Sequence, residues 1–144
     1  MVSQPTYAFD PDAIVREIRI DARPEIVFQY FVDPERLVRW MGAQATLEPH
    51  PGGLFRVDYG PEYGAARGEF LAVEPHRRVI FTWGWENPAD PVQPGQSTVE
   101  VTIEPADGAS RLTLRHSGLV GASRASHDDG WAHFLARLAE AATT

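Results

Sequence analysis

The chain contains no cysteine, and every one of its 13 basic residues is arginine. Without cysteine there are no disulfides, no thiolate nucleophile and no thiolate metal ligand. Without lysine, Schiff-base chemistry by a side chain is excluded. No apolar run approaches the ~18 residues that a membrane-spanning helix needs. The opening stretch, residues 1–12, lacks both the basic and the apolar segment of a signal peptide. Basic residues cluster no further than Arg77-Arg78, and the net charge is −7, so nucleic acid is not an expected partner. Neither a Gly-x-Ser-x-Gly elbow nor a phosphate-cradling glycine loop is present. What remains is the composition of a cytoplasmic, water-soluble domain that needs no cofactor. Its 144 residues suffice to bury roughly 68–70% of the unfolded surface.

Residues 69–85, EFLAVEPHRRVIFTWGW, carry the clearest pattern. Val79, Phe81, Trp83 and Trp85 alternate with Arg78, Ile80, Thr82 and Gly84, the period of a strand. Glu74 to Arg77 supplies a turn to a preceding short strand, Phe70–Val73, so the two pair as a hairpin. Phe70–Val73 gives no clean alternation. Glu69 faces inward if Leu71 and Val73 do, and is solvated if Phe70 and Ala72 do; the solvated edge is favoured.

Before this hairpin, residues 1–12 with Pro5 and Pro11 read as a loosely held arm. Ile14 to Asp21 alternates as a strand, with Arg16 interrupting its apolar face. Pro24 opens a helix whose apolar stripe is Ile26, Val27, Tyr30 and Phe31. Asp33-Pro34-Glu35 starts a second short helix, with Asp33 as N-cap, which carries Trp40 towards a stop at Gly42. Short strands follow at 45–48 and 54–59, the latter with Phe55, Val57 and Tyr59 on one face. Beyond the central hairpin, 97–104 and 111–116 alternate around an Ala106-Asp107-Gly108-Ala109 turn. They point Val99, Val101, Ile103, Leu112, Leu114 and His116 inward. The chain closes with a helix over roughly 123–142, on which Trp131, Phe134, Leu135, Leu138 and Ala142 recur at spacings of three and four. The expected architecture is α+β: one strand, two short helices, six antiparallel strands and a long helix held by the curved sheet.

In series, several pieces resemble one family. They are Arg23-Pro24-Glu25, Asp33-Pro34-Glu35 with Trp40, Pro51-Gly52-Gly53, Gly68-Glu69, and Glu74-Pro75-His76-Arg77-Arg78 with Phe81-Thr82-Trp83. Arg111-Leu112-Thr113-Leu114 with His116-Ser117-Gly118, and Gly130-Trp131, complete the set. Over roughly residues 14–140 the chain resembles the SRPBCC superfamily, and within it bacterial proteins similar to the C-terminal domain of the Activator of Hsp90 ATPase homologue (AHSA1-like). It departs after Trp40, where the family often has a second aromatic and Gly-Pro and this chain reads Met41-Gly42-Ala43. The resemblance implies the helix-grip (START/Bet v 1-like) fold, a sheet of about seven strands around the C-terminal helix with a cavity between them. It does not fix an activity.

The residues expected to share that space are Trp40, Phe55, Val57, Tyr59, Phe81, Trp83, Val101, Leu114, His116, Trp131, Phe134 and Leu138. Singly, each suits a filled core; as a stiff aromatic set they suit a pocket for an apolar or amphipathic small molecule. His116, inward at a strand end, suits either a hydrogen-bonded structural role or, with Tyr59, acid–base chemistry of a cyclase or hydratase kind. Trp40 and the loops 60–64 and 87–96 would form the mouth. His127 and His133 stand six apart, nearly on opposite sides of the helix, so no metal pair is expected. A co-chaperone-like interaction domain, and two-fold self-association through exposed apolar surface, stay open.

Overall fold

The computed structural model describes residues 10–143. In chain order the elements are β1 (Ile14–Ile20), α1 (Pro24–Val32), α2 (Pro34–Leu37), β2 (Gln44–Leu47) and β3 (Leu54–Asp58). They continue with β4 (Ala65–Glu74), β5 (Arg78–Trp85), β6 (Ser97–Ala106), β7 (Ala109–Ser117) and α3 (Gly121–Ala142). The seven strands form one antiparallel sheet in the order β1-β7-β6-β5-β4-β3-β2. The expected arm falls mostly on residues 1–9, outside the described residues. Its described end is tied down: the Gly118 N–H donates to the Asp10 carboxylate at 2.9 Å, and Arg124 Nε donates to the Asp12 carbonyl at 2.6 Å.

Local chemistry accounts for the boundaries. Pro24 takes the first turn of α1, and the Asp33 carboxylate accepts from the Glu35 N–H at 3.0 Å to start α2. Asp107 and Gly108 both adopt positive φ, at 51° and 83°, which turns β6 into β7 with the right-handed twist of a tight hairpin. The ambiguous run in β4 is resolved by a bulge. Phe70 pairs with Phe81 and Val73 with Val79, so two residues three apart both face inward and Leu71 is displaced outward. Glu69 is exposed.

Helix α1 differs from its expected stripe. Phe28 is buried, against the edge of the His76 ring, whereas Ile26 is exposed at 41%. The helix rotates so that Val27, Phe28, Tyr30 and Phe31 face the sheet, over β6 and β7. Helix α3 lies across the same concave face. It is fixed by an Arg16–Asp128 ion pair to β1 and by the Tyr30 hydroxyl, which donates to the Ala141 carbonyl at 3.2 Å. Among the described residues, no helix is long and apolar enough to cross a membrane.

Candidate functional site

The concave face of the sheet is divided into a packed part and an open part. In the packed part, Phe55 stacks flat on Phe81 at 3.9 Å between ring centroids, and both meet Phe70 edge to face. Val57, Val101, Leu114 and Leu138 are fully buried in the same core. Ring-on-ring packing leaves no space there. Of the expected pocket residues, then, Phe55, Val57, Phe81, Val101, Leu114 and Leu138 belong to the core behind the cavity wall and not to the wall itself.

The open part is a cleft of about 1000 Å³ between β3–β5 and α3. Tyr59, Trp83 and Trp85 line it from the sheet, and Trp40 to Ala43 from the connection after α2. Tyr63, from the 60–64 loop, and Asp90 and Pro91, from the 86–96 strap, form its rim. The opposite wall is α3, from Ala122 to Arg137. At 100° per residue, the cleft-facing positions cover about half the circumference of the helix. The other stripe, Trp131, Leu135, Leu138 and Ala142, holds the core, and Trp131 borders both. Phe134, expected in the core stripe, is only partly buried and packs its ring on Tyr59 at 5.9 Å. His127 and His133 both edge the cleft, because the lined arc is broad enough to include positions about 120° apart. Among the described residues no group of three or more histidines, aspartates or glutamates could hold a metal ion.

His116 lies behind this wall, fully buried, in a chain of side-chain bonds. Trp131 Nε1 donates to His116 Nδ1 at 2.9 Å. That fixes the tautomer: Nε2 carries the hydrogen and donates to Ser97 Oγ at 2.9 Å, and Ser97 Oγ donates in turn to the Trp83 carbonyl at 2.7 Å. Burial, with the His127 ring 5.4 Å away, holds the imidazole well below its ordinary pKa. Both nitrogens are occupied and the ring is not part of the cleft lining, which corrects its expected place as a ligand-orienting or acid–base group. It locks Trp131 and β6 together. His127 plays a parallel part at the cleft surface. Its Nε2 accepts from Trp85 Nε1 at 3.1 Å, so Nδ1 donates to the Ser123 carbonyl at 2.7 Å. The His127–Trp85 bond was not legible in the sequence, where the two residues stand 42 positions apart.

Two further polar groups belong to the wall. The Trp83 indole N–H is buried and has no hydrogen-bond partner among the described residues. The Tyr59 phenol is raised above its ordinary pKa by burial, so it stays protonated, able to donate but not to serve as a phenolate base.

The fold agrees with what known proteins show. A family model described as "Activator of Hsp90 ATPase homolog 1-like protein" matches residues 21–143. The chain belongs to that family. Of solved structures, the AHSA1-like protein RHE_CH02687 from Rhizobium etli is 41% identical with a TM-score of 0.70, over 90% of this chain and 81% of that one. DynU16, a protein in the dynemicin biosynthetic locus, is 28% identical with a TM-score of 0.79, over 92% of this chain and 48% of that one. A curated relative, uncharacterized protein C1711.08 of Schizosaccharomyces pombe, is 30% identical over 63 residues. The match takes in 44% of this chain and only 18% of that relative's length. Family membership settles the Bet v 1-like fold and carries no reaction with it.

Proposed function

We propose that this protein binds an apolar or amphipathic small molecule in the cleft between its sheet and α3. One observation carries the reading. All four tryptophans of the chain, Trp40, Trp83, Trp85 and Trp131, converge on one cleft of about 1000 Å³ beside a core that is otherwise tightly filled. Mainly apolar pockets with a few polar groups, of roughly 300–1,000 Å³, are the usual form of small-molecule sites. Binding would be driven by desolvation. A ligand losing roughly 300 Å² of apolar surface, at about 25 cal/mol per Å², gains about 7.5 kcal/mol before the entropic cost of association. Tyr59 would orient it through its neutral hydroxyl.

Native mass spectrometry of gently purified protein, with tryptophan fluorescence during titration with aromatic and aliphatic ligands, tests this. Saturable quenching or a co-purifying small molecule is the expected result. Unchanged emission across the panel from a folded protein would reject the reading and turn attention to protein partners.

A further inference from the structure

We infer that the cleft selects an elongated ligand whose apolar body carries an anionic end group of the carboxylate type, seated at Arg137. This deepens the binding reading above and rests on it. The cleft follows α3 from Ala122 to Arg137, fifteen residue steps, or about 22 Å at 1.5 Å per step. Its middle is aromatic and its two ends differ in charge. The strap end carries Asp90, whose carboxylate already accepts from the Val92 N–H. That end adjoins Trp85 and His127, since the Trp85 N–H donates to the Val92 carbonyl and Trp85 Nε1 to His127.

The other end carries Arg137, among the described residues the only basic one in the lining apart from the two histidines. Its Nε donates to the Trp40 carbonyl at 3.3 Å, which anchors the guanidinium at the rim beside the α2–β2 connection. It forms no ion pair among the described residues, whereas at least eight of the thirteen arginines do. Arg39 and Glu140 flank it around an adjoining depression, so the local balance at this end is one positive charge on a chain of net −7. A guanidinium fixed through Nε presents its terminal nitrogens as a fork that matches a carboxylate. The strap end, with Asp90, disfavours the reverse orientation.

The test uses a neutral reporter and a matched pair of competitors. N-phenyl-1-naphthylamine, which has no charge, reports occupancy of the cleft; dodecanoate and dodecan-1-ol then displace it, below their aggregation limits. The readout is the ratio of the two competitors' inhibition constants in wild type and in Arg137→Gln, with Arg137→Lys as charge-retaining control. Arg137 is exposed, so neither variant threatens folding. The expected result is a loss of acid-over-alcohol preference of about three- to tenfold in Arg137→Gln, read as a ratio in which any change in reporter affinity cancels. The Lys variant retains part of it, and the wild-type preference shrinks as salt is raised. An unchanged ratio in Arg137→Gln, with the reporter still bound, overturns the assignment of the anion and leaves the cleft as a binding site. Failure of the neutral reporter to bind removes both readings.

Discussion

Trp83 and Trp131 carry the same side chain in neighbouring positions, 5.6 Å apart and each 3% exposed, yet their indole N–H groups differ. The Trp131 N–H satisfies His116 Nδ1; the Trp83 N–H has no partner among the described residues. Truncation to phenylalanine removes a comparable amount of ring from both. In Trp131→Phe it also leaves the buried imidazole nitrogen without a donor, a penalty of about 1–3 kcal/mol. In Trp83→Phe it removes a group that was already unsatisfied. Trp131→Phe is therefore expected to be the more destabilising by about 1–3 kcal/mol, measured as the difference in urea-unfolding free energy. Equal losses would mean that the Trp131–His116 bond contributes nothing net.

At the scale of elements, the 86–96 strap closes one end of the cleft because β5 has a glycine beneath it. A Cβ on Gly84 would lie 2.0 Å from the Gln93 carbonyl group and 2.3 Å from Pro94 N, so strap and strand are in backbone contact. The strap is held there by the Trp85–Val92 backbone bond of 2.7 Å and by the buried Val92 side chain. Gly84→Ala must lift it, at a cost of about 1–3 kcal/mol, and should speed hydrogen exchange at the Trp85 amide and release of a bound probe. Gly130 in α3 is the converse case. Nothing lies within 4 Å of its Cβ position, so Gly130→Ala should stabilise the helix by up to about 1 kcal/mol. Thermal unfolding and amide exchange of the two variants should move in opposite directions. A stable Gly84→Ala with an undisturbed Trp85 amide would show that the strap is not seated by this contact.

For the whole molecule, acid stability should be lost in two steps. His116 has a folded pKa below its unfolded value of about 6.5, so the unfolded chain binds the extra proton. Its contribution is complete above about pH 6.5 and is lost as pH falls below that value, with a slope of at most about 1.4 kcal/mol per pH unit. Asp10, Glu74 and Glu86 are also held below their ordinary values, but because their charged forms are favoured rather than because burial disfavours one. Backbone N–H groups lower Asp10, and Arg78 and Arg56 lower Glu74 and Glu86 respectively. Their contributions persist above the ordinary carboxylate range and are lost only as pH falls through it. Urea midpoints between pH 8 and 5 should decline in wild type and stay flat in His116→Gln, whatever that variant's starting stability. A wild-type midpoint independent of pH over that range would sink the claim that His116 is held neutral.

The order of elements was legible in the chain because each boundary carries its own local chemistry. Pro24, the Asp33 cap and the Asp107-Gly108 turn act within a few residues of where they stand, and period-two alternation told inward from outward along β3, β5, β6 and β7. Resemblance to the family then supplied the expectation of a cavity between sheet and helix. Alternation states which face of the sheet a residue occupies, but not which part of that face is covered. Phe55 and Tyr59 share one face of one segment, and only three-dimensional packing puts the first against Phe81 and the second in the cleft. The same limit hid the exposure of Ile26, the bulge after Phe70 and the closed hydrogen-bond circuit of His116, each of which depends on partners far along the chain. Local backbone preference is encoded residue by residue, and so the sequence determined the fold. A cavity is whatever volume distant side chains fail to fill, and so its extent, its charged end at Arg137 and its buried donors were decided by the tertiary structure alone.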